Sequence, residues 1–100
     1  MIKHIVMWKL KQDVGGVQAE ENAIEMKQRL MALKEKIPEI LELEVGINVK
    51  QSDAACDIVL LTSFRTHDDL SAYQSHPDHQ YVARFVNDVT SRRSVVDYES

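Results

Sequence analysis

Two tyrosines and two histidines fall within nine residues, Tyr73-Gln-Ser-His76-Pro-Asp-His79-Gln-Tyr81. No other stretch of the chain is as dense in proton-transfer groups. An unperturbed histidine titrates near pH ~6.5, so His79 suits removal of a proton beside a carbonyl at neutral pH. Tyr73 suits hydrogen bonding to the oxygen on which charge then develops. A plain structural role stands beside this one: His79 as a rim histidine with its hydrogen bonds satisfied, and Tyr73 as a core ring with its hydroxyl bonded. His76, directly before Pro77, is placed to cap the helical piece that follows.

A metal is a third use for the same residues, because His76-x-x-His79 with Asp78 between them resembles a ligand spacing. Zinc asks for three or four ligands with supporting partners. Cys56 lies far along the chain and Pro77 bends the segment, so no metal is expected. Gly15-Gly16 follows a strand but lacks the spacing of a phosphate loop, and no nucleophile elbow is present. No cofactor is expected.

The elements around this segment must position it. The chain has 100 residues, 44% apolar and 28% charged, which fits one globular domain spanning residues 1–100. A net charge of −4 and basic residues interleaved with acids (Lys27, Arg29, Lys34 and Lys36 with Glu25 and Glu35) argue against a nucleic-acid surface. A single cysteine, Cys56, excludes an intramolecular disulfide and reads as a small strand residue. No stretch approaches the ~20 apolar residues of a membrane span. Lys9 interrupts the short apolar run at the N-terminus, so no signal peptide is expected and the cytoplasm is the expected compartment.

Ile2 to Leu10 reads as a strand, apolar on both faces at its middle. Ala23, Met26, Leu30, Leu33 and Ile37 recur at helical spacing, so a helix is predicted from about Val17 to Lys36, ended by Pro38. Strict alternation from Ile40 to Val49 predicts a strand with one wet face. Asp57 to Phe64 is a third strand, its Ile58-Val-Leu-Leu61 again apolar on both faces. Thr66-His-Asp-Asp69 resembles a capping box and starts a short helix. A second piece runs from about Pro77 to Val89, and Arg92 to Tyr98 is the last strand. The order β-α-β-β-α-β, with the second helix broken at His76-Pro77, is the ferredoxin-like arrangement. It predicts an α+β fold with a four-stranded antiparallel sheet and helices on one face.

Helices cover only one face of such a sheet. With Ile5 and Met7 on the other face, Ile58, Leu60 and Phe64 are assigned there too, forming an apolar surface too large to leave wet. A homodimer with the two sheets face to face is the simplest cover; a monomer with a flatter, partly exposed sheet is the alternative. The same register sends His4, Val6, Trp8, Asp57, Val59, Leu61, Arg93, Val95 and Asp97 toward the helices. There they would meet Tyr73, His76 and His79 in an apolar pocket of the kind that holds a small ligand.

The opening Lys3-His4-Ile5-Val6-Met7-Trp8-Lys9, the Ile37-Pro38 stop, the Tyr73-x-x-His76-Pro77-x-His79 core and the final Val95-Val96-Asp97-Tyr98 resemble the stress-responsive A/B barrel (Dabb) family. The resemblance covers nearly the whole chain, and the His-Pro-x-His core is its most specific part. It implies a dimeric α+β barrel. Most members have no assigned activity. The best-understood relative, the plant polyketide cyclase olivetolic acid cyclase, performs an intramolecular aldol condensation without cofactor or metal. By that resemblance His79 corresponds to a general base and Tyr73 to a carbonyl-polarising hydroxyl. His76 matches a neighbouring histidine, and His4 and Asp97 match further pocket residues. Asp57 stands where the cyclase has a pocket histidine, and the aromatics of its first helix have no counterparts around Asn22, Ala23 and Met26.

The expected function is the binding of a small, partly apolar carbonyl compound, with cofactor-free proton transfer or aldol cyclisation through His79. A non-catalytic, stress-associated or small-molecule-binding homodimer is one alternative. A cofactor-free monooxygenase of the wider superfamily is another.

Overall fold

A computed structural model describes all residues of the chain, Met1–Ser100. Strand β1 (Ile2–Leu10) leads into a small hairpin, β2 (Asp13–Val14) and β3 (Val17–Gln18). Its two-residue turn is Gly15-Gly16, with φ of +59° and +90°. Paired positive φ angles match the right-handed twist of the flanking strands, and only glycine adopts both without strain. Asp13 holds the turn by accepting a 2.9 Å hydrogen bond from the Gly16 N–H. This hairpin takes the residues expected to form the first turn of the first helix, so α1 begins later, at Ala19, and runs to Lys36.

Helix α1 buries Ala23, Met26, Leu30 and Leu33, the stripe set by their spacing. Glu20 and Glu21 lie in its first turn and Lys34 and Lys36 in its last, as the helix dipole favours. The chain then forms β4 (Glu42–Ile47), β5 (Ile58–Phe64), α2 (His67–Ser75), α3 (Pro77–Val89) and β6 (Thr90–Glu99). Thr66 caps α2 by accepting from the Asp69 N–H at 3.1 Å. The break between α2 and α3 falls at His76-Pro77. Pro77 occupies the first turn of α3, where its missing N–H costs nothing.

The four long strands form one antiparallel sheet in the order β4-β5-β1-β6. The helices cover one face. The pairing Val6↔Leu60 and Trp8↔Ile58 puts directly opposed residues on the same side. Ile58, Leu60 and Phe64 are therefore buried beneath the helices with Val6, Trp8 and Ile2. This corrects the sequence-based assignment of Ile58, Leu60 and Phe64 to the open face. It equally corrects Val59 and Leu61, which pair with Met7 and Ile5 and lie on the uncovered side. Ile58 to Leu61 is apolar in both phases, so alternation carries no register information there. On β1, β4 and β6 the phase follows the expectation.

The uncovered face carries Ile5, Met7, Val59, Leu61, Val96 and Tyr98, with Met7, Val96 and Tyr98 exposed by 40%, 51% and 43%. No helix is long and apolar enough to cross a membrane.

Candidate functional site

Under the helices, between α3 and the β1–β6 edge of the sheet, lies a cavity of about 340 Å³. Ligand sites of small molecules begin at roughly this size. His4, Val6, Trp8 and Leu60 form its floor, Leu30 of α1 and Val82, Ala83 and Val86 of α3 its walls. Tyr73 and His79 enter from the α2–α3 elbow, while Asn87 and Arg93, both exposed, stand at the mouth.

The elbow brings the two proton-transfer groups together. Because α2 stops at Ser75 and α3 restarts at Pro77, Tyr73 and His79 meet across the bend, their ring centroids 4.5 Å apart and edge to face. Tyr73 is fully buried, tilted against Phe64 at 5.0 Å and edge-on to His4 at 6.2 Å. Its hydroxyl has no hydrogen-bond partner in the protein, and neither does the buried Nδ1 of His79. Buried polar atoms are ordinarily paired; here two unpaired ones, on rings that line one cavity, make Tyr73 and His79 the candidate polar contacts of the site.

Burial pushes the Tyr73 hydroxyl well above the ordinary tyrosine range, the Arg93 guanidinium opposing it only in part. Tyr73 is thus a hydrogen-bond donor at any physiological pH. Burial also lowers the pKa of His79; the positive fields of His4, Arg93 and His76 add to the drop. The Gln74 backbone opposes it, near enough to favour the protonated ring although Nδ1 makes no hydrogen bond. His79 is therefore neutral at pH 7, the form a base requires.

The same shift sets a pH dependence. An unfolded histidine takes up its proton near pH ~6.5, and folded His79 only at lower pH. Between the two the unfolded chain binds more protons, so acidification through this window destabilises the fold, and the His79 contribution is fully retained above it. Urea midpoints at pH 7.5 and pH 5 should fall further for the wild type than for His79→Gln. An equal fall in both would contradict the lowered pKa.

His4 is buried and its Nδ1 bonds the Asp97 carboxylate. Asp97 sits directly across from it on β6. The carboxylate fixes the ring's orientation, as such partners commonly do. Asp97 itself does not line the cavity.

Four other expected site residues lie elsewhere. His76 caps α3, its Nδ1 accepting from the Asp78 N–H at 3.1 Å, and is not in the cavity wall. Asp57 sits at the far end of β1. Its carboxylate accepts from the Leu10 N–H at 2.7 Å, beside the register shift at Lys9/Leu10. It supplies the acceptor that a disrupted ladder leaves the Leu10 N–H without. Val59 and Leu61 face away from the cavity, as the register dictates. Conversely, Leu30, Leu60, Val82, Ala83, Val86 and Asn87 line it without having been named as pocket residues; Arg93 does so from the helix side of β6, where the register places it. Most were within reach: from His79, positions 82, 83, 86 and 87 continue one helical face. No cluster of three or more His, Cys, Asp or Glu side chains is arranged to hold a metal ion.

Comparison with solved structures agrees with this architecture. A dimeric protein of unknown function and ferredoxin-like fold from Bacteroides fragilis is 33% identical, with a TM-score of 0.84 over 99% of this chain and 95% of that one. A dimeric ferredoxin-like protein of unknown function from Jannaschia sp. is 26% identical, with a TM-score of 0.77 over 99% and 98%. The hydroxynitrile lyase of Passiflora edulis shares the fold at 15% identity, with a TM-score of 0.82 over 97% and 90%. Among curated proteins, no sequence matches. The family model for the stress responsive A/B barrel domain matches residues 2–100. With that match spanning almost every residue, and with the ferredoxin-like sheet and broken second helix in place, the chain belongs to the stress responsive A/B barrel domain (Dabb) family.

Proposed function

We propose that this protein binds a small, partly apolar carbonyl compound in the cavity beneath α3 and catalyses proton transfer at the carbon next to the carbonyl. The observation that carries the reading is the Tyr73–His79 pair: two rings in contact at the elbow, both lining the cavity, each with a buried polar atom that no protein group satisfies. The substrate carbonyl oxygen accepts a hydrogen bond from the Tyr73 hydroxyl. Neutral His79 takes a proton from the adjacent carbon: the C–H bond breaks, an N–H bond forms, and the electron pair moves onto the carbonyl oxygen. Tyr73 stabilises the resulting enolate. The imidazolium then returns its proton to carbon or oxygen, or the enolate attacks a second carbonyl, which is the aldol cyclisation suggested by the family resemblance. Apolar walls exclude water and strengthen the Tyr73 hydrogen bond. His4, oriented by Asp97, adds a polar contact on the floor.

The protein is further proposed to work as a homodimer through the uncovered sheet face, with Ile5, Met7, Val59, Leu61, Val96 and Tyr98 at its centre. The Bacteroides and Jannaschia relatives are described as dimeric, and an apolar face with several exposed side chains calls for a cover.

The chemistry is tested without knowing the natural substrate. In heavy water at neutral pD the protein should exchange the protons flanking the carbonyl of cyclohexanone for deuterium, read as loss of the corresponding proton NMR signal. No exchange above that of buffer with His79→Gln protein would contradict the proposal.

A further inference from the structure

The cavity wall contains one permanent cation and no carboxylate. Arg93 reaches it from β6, on the helix side of the sheet and directly across from Trp8. It forms none of the protein's ion pairs, which are His4–Asp97, Arg29–Glu25, His67–Glu99 and His76–Asp78. The Asn87 amide, another donor, shares the mouth with it. Between this polar mouth and the Tyr73–His79 pair the lining is apolar: Val6, Leu30, Leu60, Val82 and Val86. A ligand matching the whole cavity has an anionic end, a short apolar body and a carbonyl.

We infer that the substrate is an oxo acid, its carboxylate held by the Arg93 guanidinium and the Asn87 amide while its carbonyl lies against Tyr73 and His79. This rests on the reading of the cavity as a carbonyl site. The guanidinium's planar fork matches a carboxylate in both spacing and charge, where a lysine would offer only a point charge. The guanidinium's field also reaches both reacting groups: it opposes protonation of His79 and eases charge onto the Tyr73 oxygen.

The probes are levulinate, a keto acid, and its methyl ester, which keeps the carbonyl and loses the charge. Binding is followed at pH 7 through the NMR signals of the His79 ring. Levulinate should bind on the order of tenfold more tightly than the ester, the scale of one charge-assisted hydrogen-bonded pair at a wet cavity mouth. Added salt should shrink that advantage. Arg93→Gln should bring the two within about twofold of each other. Arg93 is exposed and unpaired, so this variant should melt with the wild type, and a matching melting curve verifies that it folds. Equal affinities in the wild type, or a preference that survives Arg93→Gln, would overturn the oxo-acid assignment. If the ester moves the His79 signals and the acid has no advantage, the carbonyl site stands and the anion anchor falls. If neither probe moves them, both fall.

Discussion

Replacing Tyr73 with phenylalanine is expected to leave the fold as stable as before while slowing carbonyl proton transfer by roughly 10²–10³-fold, the usual effect of removing one donor to a developing oxyanion. A buried tyrosine normally loses about 1 kcal/mol of stability on this change, because a hydrogen bond goes with the hydroxyl. The Tyr73 hydroxyl has no protein partner to lose. The ring, fully buried against Phe64 and His79, is preserved in phenylalanine. Stability and activity should therefore separate, with an unchanged urea midpoint and a slower exchange. A loss of more than about 1 kcal/mol would mean that the hydroxyl is bonded within the fold. An unchanged exchange rate would remove Tyr73 from the chemistry.

Phe64→Ala should be the most damaging of the β5 substitutions, at about 3–5 kcal/mol. For a domain of this size that lowers Tm by about 12 °C or more. Phe64 is fully buried and supports the Tyr73 ring, so truncation opens a void directly behind the site. Leu61, three residues earlier and on the opposite face, should behave differently. Leu61→Lys should leave the protomer folded and weaken self-association, measured by sedimentation at several protein concentrations. The pair of variants reports the register of β5. In the opposite phase Phe64→Ala would weaken the dimer and Leu61→Lys would unfold the protomer.

That register was the part of the fold hardest to read in the sequence. β1 betrays its phase because Lys3 and Lys9 share a side with Ile5 and Met7, leaving His4, Val6, Trp8 and Leu10 for the core. On β4 the acids Glu42 and Glu44 do the same. β5 offers no such mark: Ile58 to Leu61 suits burial in either phase, and the apolar open face makes both phases acceptable to the sheet. Its C-terminal end held the weaker clue. The phase that buries Phe64, the largest side chain of the strand, leaves Ser63 on the wet side of the alternation, although Ser63 is buried by its bond to the edge residue Glu42. The elbow, in contrast, was legible down to its capping residue, because His76 and Pro77 act through local backbone chemistry, as Thr66 does at the start of α2. Local chemistry also fixed the roles of the two histidines that look alike in the sequence. His76 is held by the cap, and His79, in the first turn of α3, faces the cavity. The Asn87–Arg93 mouth draws on two elements of different kind, α3 and β6, which adjoin at Val89 and Thr90. Spacing along either element alone does not reveal that they frame one opening.

The most direct test of the account is the rate at which cyclohexanone exchanges its carbonyl-flanking protons, compared between the wild-type protein and His79→Gln across pH. The wild type should be faster by about 10²–10⁴-fold, the usual contribution of a positioned base. Its rate should hold through pH 7 and decline only below the ordinary histidine range, as acid protonates His79 at its lowered pKa. Equal rates in the two proteins, both at the level of buffer, would contradict the assignment of this cavity as a site of proton transfer.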